Sequence, residues 1–200
     1  PTIIVANDGE WHDEPSVAYN SDSREYMFAW AWHDNVSIGE TRVRRFNENG
    51  QVLGAMEHID SDPGIWMPQL HYNNYLKKYF LFWATTKNWS GQFLNSDGSS
   101  AATKFLVAPG YFGYSGLRFA YNPVSFTYLF VIHGNNIENA AYEMSLSGKQ
   151  GSYTTLIGGG RNGNYDPAVG ANENTGEWLC ASSQDFTAVA ARRIKSATGR

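Results

Sequence analysis

The sequence predicts an all-β fold, a four-bladed β-propeller of four-stranded antiparallel blades closed by its N-terminal strand. Three observations predict it. Aromatic residues make up 15% and charged residues only 17% of 200 residues, with 20 glycines, a composition suited to many short strands and tight turns. A unit of about 50 residues recurs four times. The last unit lacks its final strand, and the first residues of the chain supply a candidate for it.

The repeat is visible in four segments that align without gaps: PSVAYNSDSREYMFAW from Pro15, PQLHYNNYLKKYFLFW from Pro68, LRFAYNPVSFTYLFVI from Leu117 and PAVGANENTGEWLCAS from Pro167. Each holds two strands. An Asn ends the first (Asn20, Asn73, Asn122, Asn172), and an aromatic follows six residues later (Tyr26, Tyr79, Tyr128, Trp178). The Asn reads as the start of an Asx turn. A third strand then runs to a Gly turn at Gly50, Gly98, Gly148 or Gly199, where Asn-Gly and Asp-Gly pairs are strong hairpin signals. A fourth strand follows in three units, as AMEHID, KFLVAP and YTTLIG. The stretch DFTAVAARRI is rich in alanine, yet its register against NVSIGETRVRRF makes it a third strand.

The fourth unit stops at Arg200. Residues Thr2–Ala6 carry the β-branched, apolar Ile3, Ile4 and Val5 in a row, and are expected to pair as the missing strand, which would remove an open sheet edge. The expected organisation is a single domain over 1–200, with blades at about 15–60, 68–109, 117–158 and 167–200 plus 1–8.

The pattern P-x-V-A-Y-N, E-Y-x-x-x-W, R-R and N/D-G resembles the tandem β-propeller repeats of secreted and cell-surface bacterial proteins. The architecture is also similar to hemopexin-like four-bladed domains. The first resemblance implies an extracellular or secreted protein. The second implies a Ca²⁺ or Na⁺ ion held by backbone carbonyls in a central channel; no other cofactor is expected. Hemopexin-like domains join first and last blades by a disulfide, whereas Cys180 is the single cysteine of this chain and leaves none.

Net charge is −4, with no cluster of Lys and Arg that would mark a nucleic-acid groove. No apolar run is long enough for a membrane span. The expected partner is a carbohydrate or glycoprotein. In a meander, the inter-blade connections share an end with the loops between second and third strands. The former carry Trp11 with His12, Trp66, Tyr114 and Tyr165; the latter carry His33, Asp34, Asn88, Asn135 and Asp185. Aromatic rings cover the C–H faces of sugars, and amides, imidazoles and carboxylates bind hydroxyls. The expected function is therefore non-catalytic, lectin-like binding of carbohydrate on that face. The alternatives are a small glycan-active hydrolase or lyase there, using a carboxylate pair such as Asp34 and Asp166 from among Asp13, Glu14, Asp34, Asp166 and Asp185, with His12, His33 or His133 as further candidates, and a protein-interaction or adhesion module. Trp30, Trp83 and Trp178 are expected in the core. Asn35-Val-Ser37 and Asn88-Trp-Ser90 are N-x-S sequons on the same loops.

Overall fold

The computed structural model describes residues 2–34, 38–62, 64–109, 117–133, 139–148, 150–157, 167–184 and 188–195. They form fifteen strands and four antiparallel sheets. The contacts divide the chain into two compact units, Pro1–Tyr111 and Phe112–Arg200.

The first unit holds two four-stranded meanders. One contains β1 (Trp11–Asn20), β2 (Glu25–His33), β3 (Gly39–Asn47) and β4 (Val52–Asp62) in that order. The other contains β5 (Trp66–Asn73), β6 (Lys78–Ala84), β7 (Asn88–Leu94) and β8 (Phe105–Pro109). The second unit holds a meander of β9 (Leu117–Asn122), β10 (Thr127–His133), β11 (Asn139–Ser145) and β12 (Gln150–Ile157). Its other sheet has three strands, β13 (Ala168–Asn172), β14 (Glu177–Gln184) and β15 (Ala188–Lys195).

The Asn turns form as their chemistry requires. The Asn20 Oδ1 accepts the backbone N–H of Asp22 (3.0 Å) and Ser23 (3.2 Å), and Asn73, Asn122 and Asn172 make the same pair of bonds two and three residues on. Asn20, Asn73 and Asn122 are buried, so their side chains satisfy the turn amides from the inner side of the fold. Each turn closes on a residue with positive φ, at Arg24, Lys77, Phe126 and Gly176. At the Gly hairpins, Gly50, Gly98 and Gly148 likewise have positive φ, and each N–H returns to the carbonyl three residues earlier.

The two sheets of the first unit pack small residues against large ones. Ala18, Ala29 and Ala31 of β1 and β2 join a buried cluster with Tyr79, Leu81 and Trp83 of β6. Trp83 is fully buried, and its Nε1–H donates to Asp60 at 3.0 Å. In the second unit Leu129, Val131, Ala141, Trp178 and Cys180 form a smaller cluster. Trp30, Trp83 and Trp178 are core, as expected, and Trp89 joins them. Burial pushes the Cys180 thiol up to about 12.

The N-terminal segment departs from expectation. Residues 2–10 carry no strand, and the fourth sheet has three strands among the described residues. High β propensity makes a strand only where a ladder partner takes up the backbone groups. Here side chains of the first sheet hold the segment instead, at one backbone carbonyl and one carboxylate. The Arg44 Nη1 donates to the Val5 carbonyl at 3.1 Å. Asp8 accepts from His12 Nε2 (2.6 Å) and Arg42 Nη1 (3.2 Å), and Arg42 lies 3.8 Å over the Trp32 ring. The Ile3 side chain sits against Gly50, where even a Cβ would collide with it.

Burial on β5 pushes the His71 imidazole down to about 4. The neutral form is therefore favoured by folding. Its contribution is complete above the unfolded value near 6.5 and is lost as pH falls through the interval down to about 4. At about 1.4 kcal/mol for each pH unit between those two values, this amounts to up to about 3 kcal/mol. Urea unfolding at pH 7 and pH 4 is expected to show that loss in the native chain and a much flatter profile in His71→Gln; equal pH profiles would exclude His71 as the source.

Candidate active site

At one end of the first sheet, Trp11 pairs with His33 and Gly39 pairs with Asp62. The start of β1, the β2–β3 loop and the link into β5 therefore meet there. Both inner strands begin with an irregularity at the same repeat position. The register of β1 on β2 shifts between Asp13 and Ser16, and that of β5 on β6 shifts between Trp66 and Gln69. Pro15 and Pro68 lie within these bulges. Proline has no N–H for the ladder, and the residue before each, Glu14 or Met67, has φ of 51°. Positive φ at a non-glycine residue costs energy and is held only where surrounding contacts enforce it.

Those contacts join the two inner strands. The Glu14 carboxylate accepts the Met67 N–H. The Ser16 Oγ accepts the Leu70 N–H at 3.0 Å. The bulge thus directs a carboxylate from β1 onto the backbone of β5. Burial raises the affinity of Glu14 for its proton, the neighbouring Asp13 charge adds to this, and the Met67 N–H opposes both; the net effect is an upward shift. Asp13 is exposed and accepts the Glu14 N–H at 2.9 Å.

His33 lies beside them. Its ring is 4.7 Å from that of Trp66, tilted by 37°. Burial pushes its imidazole down, while the charges of Asp13 and Asp34 oppose the shift. The Asp34 carboxylate holds the loop by accepting the Ile38 N–H at 2.8 Å. Gly39 packs so closely on His33 and Ile65 that a Cβ would meet both at 3.2 Å. The arrangement offers a half-buried acid, an exposed carboxylate and an aromatic platform. Among the described residues no group of three or more His, Cys, Asp or Glu could hold a metal ion, and no helix is long and apolar enough to cross a membrane.

The structure places the expected site residues unevenly. His33, Asp34 and Trp66 come together. Trp11 begins β1 and is 70% exposed. His12 turns to Asp8. Asn88 organises its own loop, its Oδ1 accepting from Thr85 Oγ1 (3.2 Å) and Ser90 Oγ (3.1 Å). Tyr114, Asn135, Tyr165, Asp166 and Asp185 lie outside the described residues. The bond from Glu14 to the Met67 backbone was not foreseen. Its signal was the pair of prolines, Pro15 and Pro68, at one repeat position.

No protein-family model matches the chain, and no curated protein sequence matches it. Solved structures do. The chain is similar to an α-L-arabinofuranosidase from Podospora anserina in complex with cellotriose (13% identity, all of this chain and 70% of that one, TM-score 0.58). It is also similar to the catalytic domain of a GH62 α-L-arabinofuranosidase from Coprinopsis cinerea (12%, all of this chain and 70% of that one, TM-score 0.61). A third likeness is to a mutant of AofleA from Arthrobotrys oligospora (11%, 96% of this chain and 60% of that one, TM-score 0.65).

The likeness shows the fold. It is all-β and of the β-propeller type. It also corrects the leading functional expectation. The similar structures include glycoside hydrolases, and these back the enzyme alternative over non-catalytic, lectin-like binding.

Proposed function

We propose that this chain is a glycan-active hydrolase, with Glu14 and Asp13 as its reacting carboxylates and the His33–Trp66 pair as the platform for a sugar ring. The observation that carries this reading is the half-buried Glu14, held on a strained bulge beside a second carboxylate, with its proton affinity raised. Glycosidic bond hydrolysis needs a carboxylic acid that gives its proton to the departing oxygen and a carboxylate that either activates water or attacks the anomeric carbon. Glu14 suits the first part and exposed Asp13 the second. The fold shared with two arabinofuranosidases supports a carbohydrate substrate. Each sheet is read as one blade of the propeller.

The test is release of nitrophenol from a panel of aryl glycosides, beginning with α-L-arabinofuranoside, β-D-xyloside and β-D-galactoside. The native chain is expected to cleave at least one of them, and Asp13→Asn to lose that activity by about 10²-fold or more, the usual scale for removing such a group. Cleavage unaffected by Asp13→Asn would place the chemistry elsewhere, and no cleavage of aryl or natural oligosaccharide substrates would overturn the reading.

A further inference from the structure

Two side chains of β1 grip the backbone of β5. Glu14 accepts the Met67 N–H, and Ser16 accepts the Leu70 N–H at 3.0 Å. β5 is an edge strand of its sheet, so its outward N–H groups have no ladder partner. Pro15 separates the two gripping residues, and Pro68 lies between the two N–H groups gripped. Glu14, Ser16 and Ala18 alternate along β1 with more exposed neighbours and so share the face turned to the second sheet.

The two grips differ in what backs them. Leu70 is buried, and with Ala18 it belongs to the core cluster between the two sheets. The Ser16 hydroxyl is therefore bonded to a stretch of backbone held by packing. Met67 lies in the bulge, where the ladder of β5 on β6 skips from Trp66 to Gln69, and it has φ of 51°. The grip also stands outside the repeat. The positions equivalent to Glu14 and Ser16 hold Met67 and Gln69, then Gly116 and Arg118, then Asp166 and Ala168. A carboxylate followed two residues on by a hydroxyl occurs at one of the four. The strands β5, β9 and β13 form without it, so the blade itself does not require Ser16.

We infer that Ser16 is a positioning residue for Glu14: by holding the Leu70 N–H it keeps the β5 backbone where the Met67 N–H reaches the Glu14 carboxylate. Its consequence for catalysis rests on the hydrolase reading; its effect on the Glu14 proton does not. The Met67 N–H opposes the upward push that burial and the Asp13 charge give Glu14. Trp66 to Leu70 of β5 include no ionisable side chain, so this N–H is what β5 sets against that push. Asp13, His33 and Asp34 stand at the same end of the first sheet and are untouched by a change at Ser16. Loosening the Ser16 grip weakens the opposing bond and leaves burial and Asp13 in place, so Glu14 should keep its proton to higher pH. Ser16 thereby tunes the acid, because a Glu14 that holds its proton too tightly yields it less readily to a departing oxygen.

The test is the titration of the Glu14 carboxyl, followed by NMR in ¹³C-glutamate-labelled protein and assigned by the absence of its resonance in Glu14→Gln. In Ser16→Ala the midpoint is expected to rise by about half a pH unit or more, a part of what hydrogen bonding to a carboxylate shifts. Ser16→Thr, which keeps the hydroxyl, should return it to the native value. Should Ser16→Ala not fold, Ser16→Cys, whose sulfur is a weak acceptor, takes its place. On an aryl glycoside that the native chain cleaves, Ser16→Ala should lower kcat by about tenfold through misplacement of the acid, with KM little changed, and the fall of activity at high pH should move up with the titration. In a Glu14→Gln background Ser16→Ala should add no further loss, because it acts through Glu14. The carboxyl titration needs no substrate, so a chain that cleaves no glycoside sinks the hydrolase reading and leaves this test standing. A midpoint unmoved or lowered in Ser16→Ala, or a raised midpoint that Ser16→Thr does not restore, overturns the proposal.

Discussion

Glu14→Gln is expected to reduce kcat on an aryl glycoside with a poor leaving group by roughly 10²–10⁴-fold, the usual contribution of a general acid. The amide keeps the shape of the side chain and can still accept the Met67 N–H, so the bulge should persist while the transferable proton is lost. The direction of the pH dependence follows from burial. A general acid must be protonated, and Glu14 is shifted above the ordinary glutamate value. Activity in the native chain should therefore fall as pH rises through that shifted value, and this limb should vanish in Glu14→Gln. The loss should be much smaller for a leaving group as good as dinitrophenolate, which departs without protonation. An equal loss for both leaving groups would assign Glu14 a role other than proton donation. Circular dichroism and an unchanged unfolding midpoint would establish that the variant is folded.

The largest loss of stability is expected from Trp83→Ala. The indole is completely buried between the two sheets of the first unit, against the alanines of β2. Removing so large a side chain from a closed core costs about 3–5 kcal/mol, through lost transfer energy and the cavity left behind. The change also removes the donor to Asp60, which keeps its contact with Lys104 at 2.8 Å. Trp11→Ala is the control. With 70% of that residue exposed, its effect should stay within about 0.5 kcal/mol. Urea unfolding of the two variants separates the cases. A Trp83→Ala cost below about 1 kcal/mol would contradict this packing, since truncations in closed cores lie well above it.

Much of the fold was legible because it is local. An Asn that must satisfy its own turn and a Gly that must adopt positive φ announce themselves at fixed intervals, and the strands between them follow. The first strand of each sheet ends where Asn20 and its equivalents place it, and the third strands of the first three sheets end ahead of Gly50, Gly98 and Gly148; Gly199 lies outside the described residues. The N-terminal segment was misread for the converse reason. Ile3, Ile4 and Val5 have the composition of a strand, but pairing is a long-range event that composition does not encode. Arg44 and Arg42 compete for that segment from 34 to 39 residues away. The candidate site was legible in its residue types and its end of the sheet. The Glu14–Met67 contact was not, because it depends on two bulges facing one another across separate sheets.

The single thiol of the chain has a practical consequence. Cys180 is 1% exposed and its thiol is pushed up to about 12, so almost none of it is thiolate at neutral pH, and thiolate is the reactive form. A cysteine introduced on an exposed strand position therefore stands alone as a reactive handle. Fluorophores or spin labels can be attached at chosen pairs of sites, one in each compact unit, with the native Cys180 left in place.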